Sequence, residues 1–149
     1  MLVYLDNCCY NRPFDNLSHD SIRMEAEAKI FIQSLIKYGM IKLINSFILT
    51  YEISKSPSRY KKEHIFAFIE KNASGYIGGE NQEIVIKISQ EIAATGVKFI
   101  DAVHIACAVI ANCDYFITTD KRVLKYESDK IDLVNPVDFV KIWEEDYGK

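Results

Sequence analysis

The sequence is poor in the devices that hold together small, exported or repetitive proteins. Its 149 residues include only 3 prolines and 6 glycines, too few for a collagen-like or low-complexity chain. There are 4 cysteines. Cys8 and Cys9 are adjacent, Cys107 and Cys113 flank the end of an expected helix, and neither arrangement is a disulfide framework. With no Cys-x-x-Cys, and with His19, His64 and His104 far apart, the chain carries no signature of a structural zinc site. Cys8 and Cys9 read as two half-buried thiols, with a redox or soft-metal pair as the alternative. Basic charge is also lacking, since the formal net charge is -3 and the pI about 5.6. Nucleic acid therefore cannot be held by bulk charge, only by local groups. Finally, no long apolar run is present. The longest, Ala102 to Ala111, is interrupted by His104, and Met1 leads directly into Leu2 to Asp6 without a basic leader. No membrane span is expected, and the thiols suit the cytoplasm.

What the chain does have is an ordinary globular composition, 49% hydrophobic and 26% charged. At this length roughly 68–70% of the unfolded surface can be buried, so one domain over residues 1–149 is expected to form a core unaided. Leu2 to Leu5 reads as a strand ending at Asp6, followed by loop chemistry at Asn7, Asn11, Pro13, Asp15 and Asn16. Apolar residues at Ile22, Ala26, Ile30 and Leu35 predict a helix from about His19 to Tyr38, stopped by Gly39. A strand over Met40 to Ile44 comes next, then a short helix capped by Ser46 and running to Lys55. Ser56 and Pro57 suit the start of another helix, which reaches about Lys71 before Gly75, Gly78 and Gly79 break the chain. Helices are expected over Asn81 to Thr95 and Ile100 to Asn112, a strand over Tyr115 to Thr118, and helical structure from Asp120 to Tyr126. A last strand, Ile131 to Val134, leads to a helix opened by Pro136. Alternating strands and helices without a repeat or linker predict an α/β fold with a mainly parallel sheet.

In such a sheet the reactive groups collect beyond the carboxyl ends of the strands. The first strand ends on Asp6 and the one from Tyr115 ends on Thr118, Thr119 and Asp120. The helix from Ile100 and the strand after it travel ~16 Å out and back, which returns Asp120 to the end where Asp101 starts. Glu52, one or two turns into its helix, has the length to reach the same edge. Four acids around one pocket repel one another unless a cation neutralises them, and oxygen ligands select magnesium or manganese. Such a site suits phosphodiester hydrolysis. Plainer roles are open to the same residues: Asp101 and Asp120 as helix caps, Asp6 and Glu52 as solvated acids.

Four segments extend this reading: Val3-Tyr4-Leu5-Asp6-Asn7, Thr50-Tyr51-Glu52, Phe99-Ile100-Asp101-Ala102-Val103-His104-Ile105-Ala106 and Phe116-Ile117-Thr118-Thr119-Asp120. In this order they resemble the motifs of PIN-domain nucleases, most nearly VapC-like toxin ribonucleases. The resemblance runs from Leu2 to about Val140 and implies a three-layer α/β/α fold. It also implies metal-dependent RNA cleavage at a Mg2+ or Mn2+ site formed by Asp6, Glu52, Asp101 and Asp120. Thr118 matches the family's hydroxyl residue two places before the last acid. The chain departs from the pattern at Asn7, where a Ser or Thr is commoner, and its amide is expected to support the site. A small antitoxin and a second copy of the chain are the partners the resemblance implies.

The contrasting reading is a PIN-shaped module that binds RNA or protein without cleaving. Arg12, Lys98, Lys121 and Arg122, each close in sequence to a site acid, are candidate RNA contacts, as are Arg59 and Lys62 in the basic stretch from Lys55. That stretch also reads as a solvated helix face balanced by Glu63 and Glu70. Cancelling the four acids would leave the chain slightly positive, so an acidic pI does not exclude RNA. His104, three residues after Asp101, reads as a packed histidine making a hydrogen bond, with general acid or support of the site as the alternative. Gly75-Tyr76-Ile77-Gly78 reads as a turn, not a phosphate loop.

Overall fold

A computed structural model describes residues 1–10 and 20–148. Arg12, His19 and the turn residues Asn11, Pro13, Asp15 and Asn16 lie outside the described residues.

Among those described, five strands form one sheet: β1 (Leu2–Leu5), β2 (Lys42–Ser46), β3 (Ala73–Ile77), β4 (Tyr115–Ile117) and β5 (Asp132–Val134). Every pairing is parallel and the order is β3-β2-β1-β4-β5. The chain therefore builds outward from β1 on one side, then returns to add β4 and β5 on the other. This puts the topological switch point between β1 and β4.

The two-residue period of the strands sends alternate side chains to opposite faces. Val3 and Leu5 join Leu43 and Ile117 in one apolar cluster with Ile32, Leu35 and Ile36 of α1 (Asp20–Lys37) and Phe139 and Trp143 of α7 (Pro136–Tyr147). Tyr4, Ile44 and Phe116 point the other way, into a cluster with Val85 and Ile92 of α4 (Gln82–Ala93) and Ala102, Ile105 and Ala106 of α5 (Phe99–Ile110). The result is the expected α/β/α layering on a parallel sheet. No described helix is long and apolar enough to cross a membrane.

Three boundaries differ from the sequence reading. The glycine-marked stretch after Lys71 is the edge strand β3, not a break. Gly75 lies where the β2–β3 register shifts, and a Cβ there would meet Ile44 Cδ1 at 2.9 Å, so glycine permits a close strand approach. The helix α3 (Arg59–Asn72) starts after Ser58, whose hydroxyl accepts the Lys61 N–H at 3.2 Å, whereas Ser56 is used to receive the Ser58 N–H. The strand expected from Met40 begins only at Lys42, because Met40 and Ile41 donate back to the Leu35 carbonyl in the turn around Gly39 (φ 76°). In addition, Asn7–Tyr10 forms a 3-10 turn in the stretch read as loop.

Candidate metal centre

Asp6 is the first residue beyond β1. Its backbone N–H donates to the Ile117 carbonyl at 2.9 Å, which extends the β1–β4 ladder and fixes the side chain at the switch point. Both carboxylate oxygens are engaged: Oδ1 accepts the Asn7 backbone N–H at 2.8 Å and Oδ2 accepts the Thr118 hydroxyl at 2.7 Å. Asn7 thus supports Asp6 through its main chain. Thr118 is fully buried, and its hydroxyl oxygen also receives the Asp120 N–H at 3.1 Å, so one side chain links the two strand ends.

Glu52 comes from the short helix α2 (Phe47–Ser54). Ser46, the last residue of β2, caps this helix by accepting the Leu49 N–H at 3.2 Å, which starts α2 immediately beyond the sheet edge. From there the Glu52 carboxylate reaches His104 Nε2 on α5. One donor atom from each of Asp6, Glu52 and His104 lies within 4.8 Å of the other two. His104 is 1% exposed. It is packed and hydrogen-bonded, as the sequence reading preferred, but its partner is one of the proposed site acids.

Asp101 sits in the first turn of α5 and is partly buried. Its carboxyl is pushed above the usual range by burial, then by repulsion from Asp6, Asp120 and Glu52, against an opposing effect of His104. Asp120 is exposed and caps α6 (Lys121–Leu124) by accepting the Arg122 N–H at 2.9 Å. Asp101 and Asp120 line a cleft of about 560 Å³ together with Lys98, Arg122 and Tyr126. The capping role considered for Asp120 is therefore real and coexists with its position beside the other acids. For Asp101 the N-cap position is occupied by Lys98 instead.

The candidate RNA contacts divide. Lys98 and Arg122 line the cleft of Asp101 and Asp120, which Asp6 and Glu52 do not line. Lys121 is exposed at the start of α6. Arg59 and Lys62 stand on α3 and do not line that cleft, and Arg59 pairs with Glu63 at 2.7 Å. Two further residues were missed in sequence. Cys8 is half-buried with Sγ 3.8 Å from Thr118 Oγ1, and it accepts the Thr119 N–H at 3.4 Å. Its thiol is lowered to about 7, chiefly by a hydrogen bond with Cys9. Tyr4 contacts His104 from below, and only its place in an otherwise apolar strand hinted at a polar partner.

No protein-family profile and no curated protein matches this sequence. Solved structures do match. The structure of VapBC2 from Rickettsia felis, bound to a DNA fragment from its promoter, superposes with a TM-score of 0.57 at 14% identity, covering 91% of this chain and 98% of that one. FitAcB from Neisseria gonorrhoeae gives a TM-score of 0.57 at 16% identity, covering 90% and 97%. The chain has a PIN-domain fold. Within this fold, Asp6 and Asp120 follow adjacent parallel strands at the switch point, while Glu52 and Asp101 arrive on helices.

The donor set fits a hard divalent cation. Among the described residues, Asp6, Glu52 and His104 bring two carboxylate oxygens and an imidazole nitrogen within mutual reach, and Asp101, raised first by burial, also feels the charges of Asp6, Asp120 and Glu52. A cation bound by Asp6 and Glu52 would also have the Asp101 charge within electrostatic reach.

Proposed function

We propose that this PIN domain is a Mg2+- or Mn2+-dependent endoribonuclease of the cytoplasm, the toxin of a toxin–antitoxin pair. The observation that carries the reading is geometric: donor atoms of Asp6, Glu52 and His104 lie within 4.8 Å of one another at the switch point, and Asp101, besides its burial, feels the charges of Asp6, Asp120 and Glu52. Carboxylates this near one another repel, and a divalent cation would relieve that repulsion.

Asp6, Glu52, Asp101 and Asp120 are the proposed ligands, with Asn7 and Thr118 fixing Asp6. Held by these residues, a divalent cation would supply Lewis-acid chemistry, polarising a water for attack on phosphorus and neutralising charge on the phosphodiester. The chain's own part is positional. Thr118 and the Asn7 N–H leave the Asp6 carboxylate no freedom to turn away. Lys98 and Arg122 stand where RNA phosphates flanking the acids would lie, and Tyr126 offers a ring for a splayed base. No covalent intermediate is needed.

The VapC-like motifs and the fold shared with VapBC2 and FitAcB support an antitoxin as partner. Tyr51, Phe99 and Ile100, adjacent in sequence to Glu52 and Asp101, are 51%, 52% and 45% exposed. They provide apolar surface for such a protein or for a second copy of the chain.

The test is cleavage of single-stranded RNA by purified protein with Mg2+ or Mn2+, with excess chelator, and with Asp6→Asn and Asp101→Asn. The expected result is cleavage by wild type only, abolished by chelator. RNA binding that persists in chelator without cleavage under any condition would replace this reading by the binding module. Wild-type rates in both folded variants would remove the acids from the chemistry.

A further inference from the structure

Behind Glu52 a line of buried polar groups crosses the apolar layer between the sheet and α5. Tyr4 Oη lies 2.6 Å from Ser46 Oγ and 2.6 Å from His104 Nδ1, and His104 Nε2 meets Glu52 Oε1. Ser46, Tyr4 and His104 are 0%, 0% and 1% exposed. Groups this deep are retained at a cost unless each proton and lone pair is matched, so the chain must have a consistent set of donors.

The donors follow from elementary bookkeeping. An ionised carboxylate only accepts, so Nε2 must carry the proton toward Glu52. A neutral imidazole then has a bare Nδ1, which must accept, and the atom facing it is the Tyr4 hydroxyl. Burial pushes the Tyr4 phenol well above its usual range, so it retains its single proton to donate. Having spent it on Nδ1, Tyr4 can only accept from Ser46. Ser46 gives its proton to Tyr4, since toward the Leu49 N–H it is an acceptor and the neighbouring Cys107 thiol, pushed up to about 12 by burial, keeps a proton of its own.

We propose that His104 is a positioning residue of the acidic site, locked as the Nε2–H tautomer by a one-way hydrogen-bond chain from Ser46 through Tyr4, so that it holds Glu52 in place for a cation. The positioning role rests on the acidic site being the working site; the tautomer does not. Four elements are tied together by this chain: β1 through Tyr4, α5 through His104, and β2 and α2 through Ser46 at their joint, with α2 carrying Glu52. Partners of this kind, which orient a metal ligand without touching the metal, typically change metal affinity about 10–100-fold when removed. Glu52 has a flexible side chain that is 30% exposed, so it needs such a partner to be preorganised.

The experiment has two arms. Long-range proton–nitrogen NMR on 15N-histidine-labelled protein at neutral pH, with chelator and then with Mg2+, reads the tautomer of His104 directly. The expected result is a protonated Nε2 and a bare Nδ1 in both conditions, with the Nδ1 resonance shifted in Tyr4→Phe, where its hydrogen-bond donor is lost. A protonated Nδ1, or loss of the Nε2 proton when Mg2+ is added, would overturn the proposal; the latter would make His104 a direct ligand. The second arm is calorimetric titration of Mn2+ into wild type, His104→Asn and His104→Gln. Glutamine can place an amide N–H near the position of Nε2, whereas asparagine is too short. His104→Asn should lose 10–100-fold in Mn2+ affinity and His104→Gln should recover most of it. Equal affinity in all three would overturn the positioning role while leaving the metal site intact. Absence of Mn2+ binding by folded wild type would instead remove the metal-site reading and the positioning role with it.

Discussion

Asp101 shows how a single residue exposes the tension at this site. Its carboxyl is raised by burial and by three neighbouring acids, so folding favours its neutral form. A raised acid contributes stability that is complete below its ordinary range and is lost as pH rises through the elevated value. In chelator, Asp101→Asn should therefore melt higher than wild type at pH 7, with a gap that closes toward pH 4. Thermal scans across that range check this, and parallel curves would show that Asp101 feels no such repulsion. Cys8 gives a second prediction. Its thiol is lowered to about 7 while Cys107 and Cys113 are pushed up to about 12 by burial. The thiolate is the reactive form, so alkylation of Cys8 should rise through pH 7 and level off, with the other two silent. Mass-resolved iodoacetamide labelling measures it. Little of this was legible in the sequence. Asp6, Asp101 and Asp120 stood out because acids at strand ends and helix starts are conspicuous. Tyr4 and Cys8 did not, because their partners, His104 and Thr118, are about a hundred residues away and only the parallel sheet brings them together.

At the scale of elements, the strong local signals translated directly into structure: α1 and α4 form where their apolar spacing places them, β1 and α5 where their apolar runs lie, and α7 where Pro136 opens it. Failures came where local chemistry competes with a tertiary demand. Gly75 signals a turn when read alone, yet it sits in a strand because Ile44 occupies the space a side chain would need. Gly75→Val should accordingly lower stability by about 1–3 kcal/mol through overpacking, measured by urea unfolding. A neutral result would mean that β3 can move away from β2. Ser46 was read correctly as a cap, and the structure adds its second task at the head of the Tyr4–His104 chain. Ser46→Ala removes both, and a loss above the ~1 kcal/mol typical of a cap alone is expected.

For the molecule as a whole, the order β3-β2-β1-β4-β5 decides where chemistry can occur. Reversal of direction at β1 opens a crevice beyond its carboxyl end, and the chain delivers acids to that crevice from four separate segments. A net charge of -3 opposes RNA until the acids are neutralised, so RNA affinity should depend on divalent cation as well as on salt. With Mn2+ present and cleavage blocked by a modified backbone, Arg122→Ala should weaken RNA binding and reduce the salt dependence by about one ion. An unchanged slope would place the RNA elsewhere. The most direct test of the central claim is calorimetric titration of Mn2+ into chelator-stripped protein, wild type beside Asp101→Asn. The four-acid centre predicts clear binding by wild type and much weaker binding by the variant; equal binding by both, or none by well-folded wild type, would contradict it.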